Sequence, residues 1–186
     1  MKKENIYNLP NLISLTRILL TFFIVYGIIT KIEITIVAVA FVLGMLTDFF
    51  DGQIARRWKL VTEFGRKFDM VADRFLMIGT AAAFIISYNG IMTQNHWIQV
   101  SMILSREILS APFVIYSRIA KNGKIPRAKF IGKLTTFMQG VSFPLVIMGI
   151  FYDKFEFSIY LAIATGIIGI LSGLQNVKDL NSVTKQ

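Results

Sequence analysis

The chain has 186 residues, 54% of them hydrophobic and 17% charged, with a formal net charge of +9 and no cysteine. A soluble domain of this length needs more polar surface, so the composition excludes an ordinary globular protein and points to a membrane. The lack of cysteine excludes a disulfide framework and a thiolate metal site, and basic loops facing anionic lipid account for the charge without a nucleic-acid partner.

Met1-Lys2-Lys3-Glu4 is charged, but no small-residue cleavage site follows the apolar run that starts near Leu12. The run therefore reads as a retained helix and not as a signal peptide. Glu4 to Leu9, ahead of Pro10, is long enough only for a short interfacial helix. A spanning helix needs about 20 mostly apolar residues. Six segments approach that length, roughly 11–30, 34–57, 69–89, 97–118, 132–152 and 157–176. No Pro- or Ser-rich linker and no internal repeat separates them. The expectation is an all-α integral membrane protein, a bundle of six transmembrane helices forming one domain over 1–186.

Orientation follows from Lys and Arg. One side collects Lys2, Lys3, Arg56, Arg57, Lys59, Arg66 and Lys67, then Arg118, Lys121, Lys124, Arg127, Lys129, Lys133, Lys178 and Lys185. The other keeps Lys31 and Lys154. This asymmetry predicts that both termini are cytoplasmic. Trp97 fits an interfacial anchor on the outer side, and His96 before it reads as a solvated loop residue.

Ionisable residues also fall within or at the ends of the spans: Arg17, Arg74 and Arg106, with Asp48, Asp51, Asp69, Asp73 and Glu107. Each costs roughly 2.5–3.5 kcal/mol at depth on the milder scales, so each is a functional candidate by default. Structural pairing, of Arg74 with a neighbouring Asp or of Arg106 with Glu107, is the plain competing account. It does not explain four aspartates that outnumber the nearby cations. Asp48 and Asp51 are i and i+3 on the second span, and Asp69 and Asp73 are i and i+4 on the third, so each pair shares a helix face. An antiparallel pairing of those two helices would gather all four carboxylates at the cytoplasmic end. Hard oxygen ligands without His or Cys suit Mg²⁺ or Mn²⁺, and two ions shared by four carboxylates suit in-line displacement at phosphorus. Gly52 and Ala55, beside the first pair, leave room for a ligand to approach the backbone, or serve small-residue helix packing.

Together these residues read Asp48-x-x-Asp51-Gly52-x-x-Ala55-Arg56, eight residues, Gly65, then x-x-x-Asp69-x-x-x-Asp73. This resembles the full signature of the CDP-alcohol phosphatidyltransferase family. The resemblance implies transfer of a phosphatidyl group from a CDP-linked lipid to an alcohol, with release of CMP. It implies that Asp48, Asp51 and Asp69 chiefly hold two metal ions and that Asp73 binds metal and acts as base for the acceptor hydroxyl. Asp51, Gly52, Ala55, Arg56 and Gly65 match positions on the CDP side. Pro10-Asn11-Leu12-Ile13-Ser14-Leu15-Thr16-Arg17 is similar to the family's N-terminal segment, which carries Asn11, Ser14 and Arg17 over to the nucleotide as well. The resemblance also implies a homodimer in the membrane, while the chain's size and N-in topology suit a prokaryotic plasma (inner) membrane with the site on the cytoplasmic side.

For the acceptor, Arg106-Glu107 and Gly132-Lys133-Leu134-Thr135-Thr136 with Gln139 resemble the branch that uses sn-glycerol 3-phosphate together with CDP-diacylglycerol. Arg106, Arg118 and Lys133 are then the cations around the acceptor phosphate, although positive-inside topology alone also explains Arg118 and Lys133. The chain departs from that branch at Thr135, where many members carry a second lysine, and at Met70, where many carry proline. A Lys-x-x-Thr pattern also occurs in the branch that uses phosphatidylglycerol, and an inositol phosphate acceptor has less support. Outside the family, a small cation transporter would need charges near the midplane and repeats or broken helices, which are not evident. A scaffold would have no use for four acids.

Overall fold

The computed structural model of the chain describes residues 9–57, 62–120 and 130–183, all but a few of them helical. The described residues form the α-helices α1 (Leu9–Ile29), α2 (Ile34–Arg57), α3 (Glu63–Tyr88), α4 (Gln94–Ala120), α5 (Phe130–Phe151) and α6 (Ser158–Val183). Short 3₁₀ turns lie at Asn89–Ile91 and Asp153–Phe155. No strand occurs among the described residues. Most of the interfacial segment expected at Glu4 to Leu9 falls outside them; Leu9 itself opens α1, with Pro10 in the first turn where its missing N–H is tolerated.

By length and composition four described segments can cross a membrane: Asn11–Ile29, Val71–Ile91, Ile131–Phe151 and Asp153–Gln175. The apolar part of α2, Ile34–Thr47, is shorter, because the helix then runs into its acidic segment. In α4, Gln99, Ser101, Ser105, Arg106 and Glu107 dilute the apolar run.

The chain divides into two compact units, Met1–Ile91 and Met92–Gln186. In the first, α1 packs along both α3 and α2, while α2 and α3 meet over a shorter length. The helix pair expected from the sequence is therefore joined chiefly through α1. This helix is inside-out by the standard of a soluble protein. Ser14, Arg17 and Thr21 are buried, whereas Leu12, Leu15, Leu19 and Phe22 are exposed. That pattern suits lipid outside and polar groups inside. Beyond the polar level, Ile24, Ile28, Val37, Phe41, Leu76 and Phe84 form an apolar core.

The turn from α1 to α2 is a Schellman motif. Ile32 N–H donates to Gly27 O at 2.9 Å and Lys31 N–H to Ile28 O at 3.2 Å. Lys31 takes the left-handed position with φ 57°, a place that glycine usually fills.

In the second unit α6 packs against α4 and α5. The approach to α4 depends on glycine: a Cβ on Gly166 would lie 2.8 Å from Met102 Cβ, and one on Gly173 would lie 3.1 Å from Leu109 Cβ. Across α5 and α6, Ser142 and Thr165 share a hydroxyl hydrogen bond of 2.7 Å. Such close, hydrogen-bonded contacts hold helices together where hydrophobic burial supplies little drive.

Candidate functional site

Asp69 and Asp73 lie one turn apart on α3. The start of that helix is set by Thr62, whose hydroxyl accepts from Gly65 N–H at 3.0 Å. The cap carries the helix six residues nearer the loop than the apolar pattern suggests and leaves both aspartates inside regular helix. Gly65 also makes room for its neighbours. A Cβ there would lie 2.5 Å from Asn11 Oδ1 and 2.9 Å from Thr62 Oγ1, so any larger residue at position 65 would displace the Asn11 and Thr62 side chains from these positions.

Arg17 is the centre of the described site. Its side chain is fully buried, and its Nη1 donates to Asp69 Oδ1 at 2.9 Å and to Asp73 Oδ1 at 2.6 Å. The two carboxylates remain 35% and 32% exposed, so both can still meet a ligand. Arg17 Nε donates to Thr47 Oγ1 at 3.2 Å, and the Thr47 hydroxyl in turn donates to Gly44 O at 2.6 Å. A threonine hydroxyl has one hydrogen and two lone pairs; the hydrogen goes to its own helix, and a lone pair faces the guanidinium. Ser14 Oγ stands 3.4 Å from Asp69 Oδ1, at the limit of a hydrogen bond.

The structure thus brings together Asn11, Ser14, Arg17, Gly65, Asp69 and Asp73, all residues that the sequence singles out. It adds Thr47, which no motif or charge pattern in the sequence marks. Asp48 and Asp51 lie on α2, the first directly after Thr47. Their side chains, with those of Gly52, Ala55 and Arg56, fall outside the described residues, as do the side chains of Arg106 and Arg118 on α4. Among the described residues no three His or acidic side chains form a metal-binding group. What the described pair does show is a fit to a cation. Two hard-oxygen carboxylates, each about one-third exposed, converge on a single cationic nitrogen, and donors of this type select Mg²⁺ or Mn²⁺.

In the second unit, Gln139 is buried on α5 and its Nε2 donates to Ile103 O at 2.7 Å and to Glu107 Oε2 at 2.5 Å. Glu107 is thereby fixed on α4. Lys133 is exposed. Thr135, two residues on, is fully buried and donates to Ile131 O at 2.8 Å. Residues i and i+2 of a helix face different ways, so a lysine at 135 would not extend the surface that Lys133 offers.

The sequence model of the CDP-alcohol phosphatidyltransferase family matches residues 7–171. A CDP-diacylglycerol–glycerol-3-phosphate 3-phosphatidyltransferase of Rickettsia typhi is 32% identical over 163 residues, 87% of this chain and 86% of that protein. An enzyme of the same name from Pectobacterium atrosepticum is 33% identical over 138 residues, 72% of each chain. A probable phosphatidylglycerophosphate synthase of Mycobacterium tuberculosis is 29% identical over 180 residues, 94% of this chain and 82% of that protein. With a family match over nearly its whole length, on a helical frame that carries the motif's aspartates, the chain belongs to the CDP-alcohol phosphatidyltransferases, transferases of phospholipid biosynthesis.

Proposed function

We propose that the chain transfers the phosphatidyl group of CDP-diacylglycerol to sn-glycerol 3-phosphate, giving phosphatidylglycerophosphate and CMP. The observation that carries this reading is the convergence of Asp69 and Asp73 on one cation in a partly exposed site, within a chain whose relatives are named for that reaction. The acceptor hydroxyl oxygen bonds to the phosphatidyl phosphorus, the diphosphate P–O bond breaks, and its electron pair leaves with CMP. Asp73 takes the hydroxyl proton, which requires the acceptor to sit within hydrogen-bond reach of its carboxylate. Asp48, Asp51, Asp69 and Asp73 would hold two Mg²⁺ or Mn²⁺ ions, which when bound neutralise the diphosphate and favour the leaving group. Asn11, Ser14, Arg17, Asp51, Gly52, Ala55, Arg56 and Gly65 line the CDP side. Arg106, Arg118 and Lys133 hold the acceptor phosphate.

The frame is one domain of six spans in a prokaryotic plasma membrane, working as a homodimer, with termini and site cytoplasmic. At about 1.5 Å per residue, α2 and α4 both exceed the ~30 Å hydrocarbon core in length, and the Lys and Arg asymmetry sets the orientation. In detergent with Mg²⁺, CMP release from CDP-diacylglycerol is expected with glycerol 3-phosphate and not with phosphatidylglycerol, inositol phosphate or serine. Turnover with phosphatidylglycerol alone would move the chain to cardiolipin synthesis. No turnover with any acceptor, from folded protein, would contradict the reading.

A further inference from the structure

Arg17 has no exposed surface, yet it sits on a helix whose outer face is leucine and phenylalanine. Its contacts reach two other helices: Asp69 and Asp73 on α3, and Thr47 on α2. Thr47 is the residue before Asp48. A single guanidinium therefore ties α1 to the carboxylate face of α3 and to the point where the acidic part of α2 begins. Asp69 and Asp73 share one helix face a turn apart, where like charges repel, and Arg17 offsets both at once.

We propose that Arg17 is the resident counter-cation of this site, a positioning residue that keeps Asp69 and Asp73 together before divalent ions bind. As a like charge beside those ions, it also weakens their binding. The inference rests on the reading that these aspartates hold metal. An ion held by Asp69 and Asp73 would share their carboxylates with the guanidinium, which bonds them at 2.9 and 2.6 Å. Coulomb repulsion between cations that share ligands in a partly buried site shifts an affinity by roughly tenfold or more. The sign separates this role from its rivals. Loss of a merely structural arginine would splay the carboxylates and weaken ion binding. Loss of a residue that only grips the nucleotide would leave ion binding without nucleotide unchanged.

The test uses the full chain in detergent without nucleotide, as wild type, Arg17→Met, Arg17→Gln and Arg17→Lys. Mn²⁺ binding is followed by the electron paramagnetic resonance of the free ion, and thermal unfolding is recorded in EDTA and in saturating Mn²⁺. Both neutral variants are expected to bind Mn²⁺ about tenfold more tightly than wild type, to unfold at a lower temperature in EDTA, and to gain more from Mn²⁺. Arg17→Lys keeps the charge and is expected to stay within about threefold of wild type on the same Coulomb argument. Should Arg17→Met not fold, Arg17→Gln, which keeps an amide donor, provides the same reading. Unchanged or weaker Mn²⁺ binding in a folded neutral variant overturns the role given to Arg17 and leaves the metal reading standing. No Mn²⁺ binding by the wild type overturns the metal reading, and this inference with it.

Discussion

Replacing Asp73 by asparagine is expected to lower CMP release by about 10²–10⁴-fold, the range that a positioned general base contributes, while the chain stays folded. Asparagine keeps an Oδ1 that can accept from Arg17 Nη1, now bonded to Asp73 at 2.6 Å. What it loses is the charge and the capacity to take a proton. The bond to Arg17 falls from charge-assisted to ordinary, a cost of roughly 1–2 kcal/mol, and Asp69 continues to hold the guanidinium at 2.9 Å. Single-turnover CMP release, with Mn²⁺ and CDP binding measured on the same sample, checks this outcome. Near-normal turnover with both ligands still bound would remove Asp73 from the base role.

Chelation is expected to abolish CMP release without unfolding the protein. In small domains built around a structural ion, removal of the metal removes the fold. Here the carboxylates of Asp69 and Asp73 already share Arg17, and the apolar core around Ile24, Phe41, Leu76 and Phe84 does not depend on them. EDTA-treated protein should therefore keep its helical circular dichroism and a cooperative melt, and Mg²⁺ or Mn²⁺ should restore turnover directly. Loss of helicity in EDTA would show that the ions, and not Arg17, hold the first unit together.

The helical frame was legible because long apolar runs in membrane helices need no partner to be recognised. The segment expected at 34–57 is helical, α2 from Ile34 to Arg57, but its apolar part, Ile34–Thr47, is shorter than a span. Boundaries moved where local chemistry overrides hydropathy. The Thr62 cap starts α3 at Glu63, and α6 continues to Val183 through polar residues that apolar counting stops at. His96 is not a solvated loop residue. It lies in the first turn of α4, and its Nδ1 accepts from Thr93 N–H at 3.2 Å, a capping interaction whose signal is the Thr-x-x-His spacing.

At the site, the pairing of Asp69 with Asp73 was legible because an i, i+4 spacing is local, whereas the side chains of Asp48 and Asp51 lie outside the described residues. The partnership of Arg17 was not legible, since its carboxylates lie 52 and 56 residues away along the chain. An isolated arginine in an apolar helix signals that it needs a partner without naming one. Thr47 gave still less signal, because threonine in a membrane helix ordinarily bonds its own backbone, as Thr47 also does with Gly44.

Whether the carboxylates of α3 form a divalent-ion site is decided by Mn²⁺ binding to the purified chain and to the Asp69→Asn, Asp73→Asn double variant. Asparagine at both positions keeps oxygens for Arg17 and removes two ligand charges. Saturable binding of two ions per chain is expected for the wild type in the presence of CDP-diacylglycerol, with affinity lowered by about 100-fold or more in the double variant. Equal Mn²⁺ binding by the two folded proteins would place the ions elsewhere and contradict a site on α3.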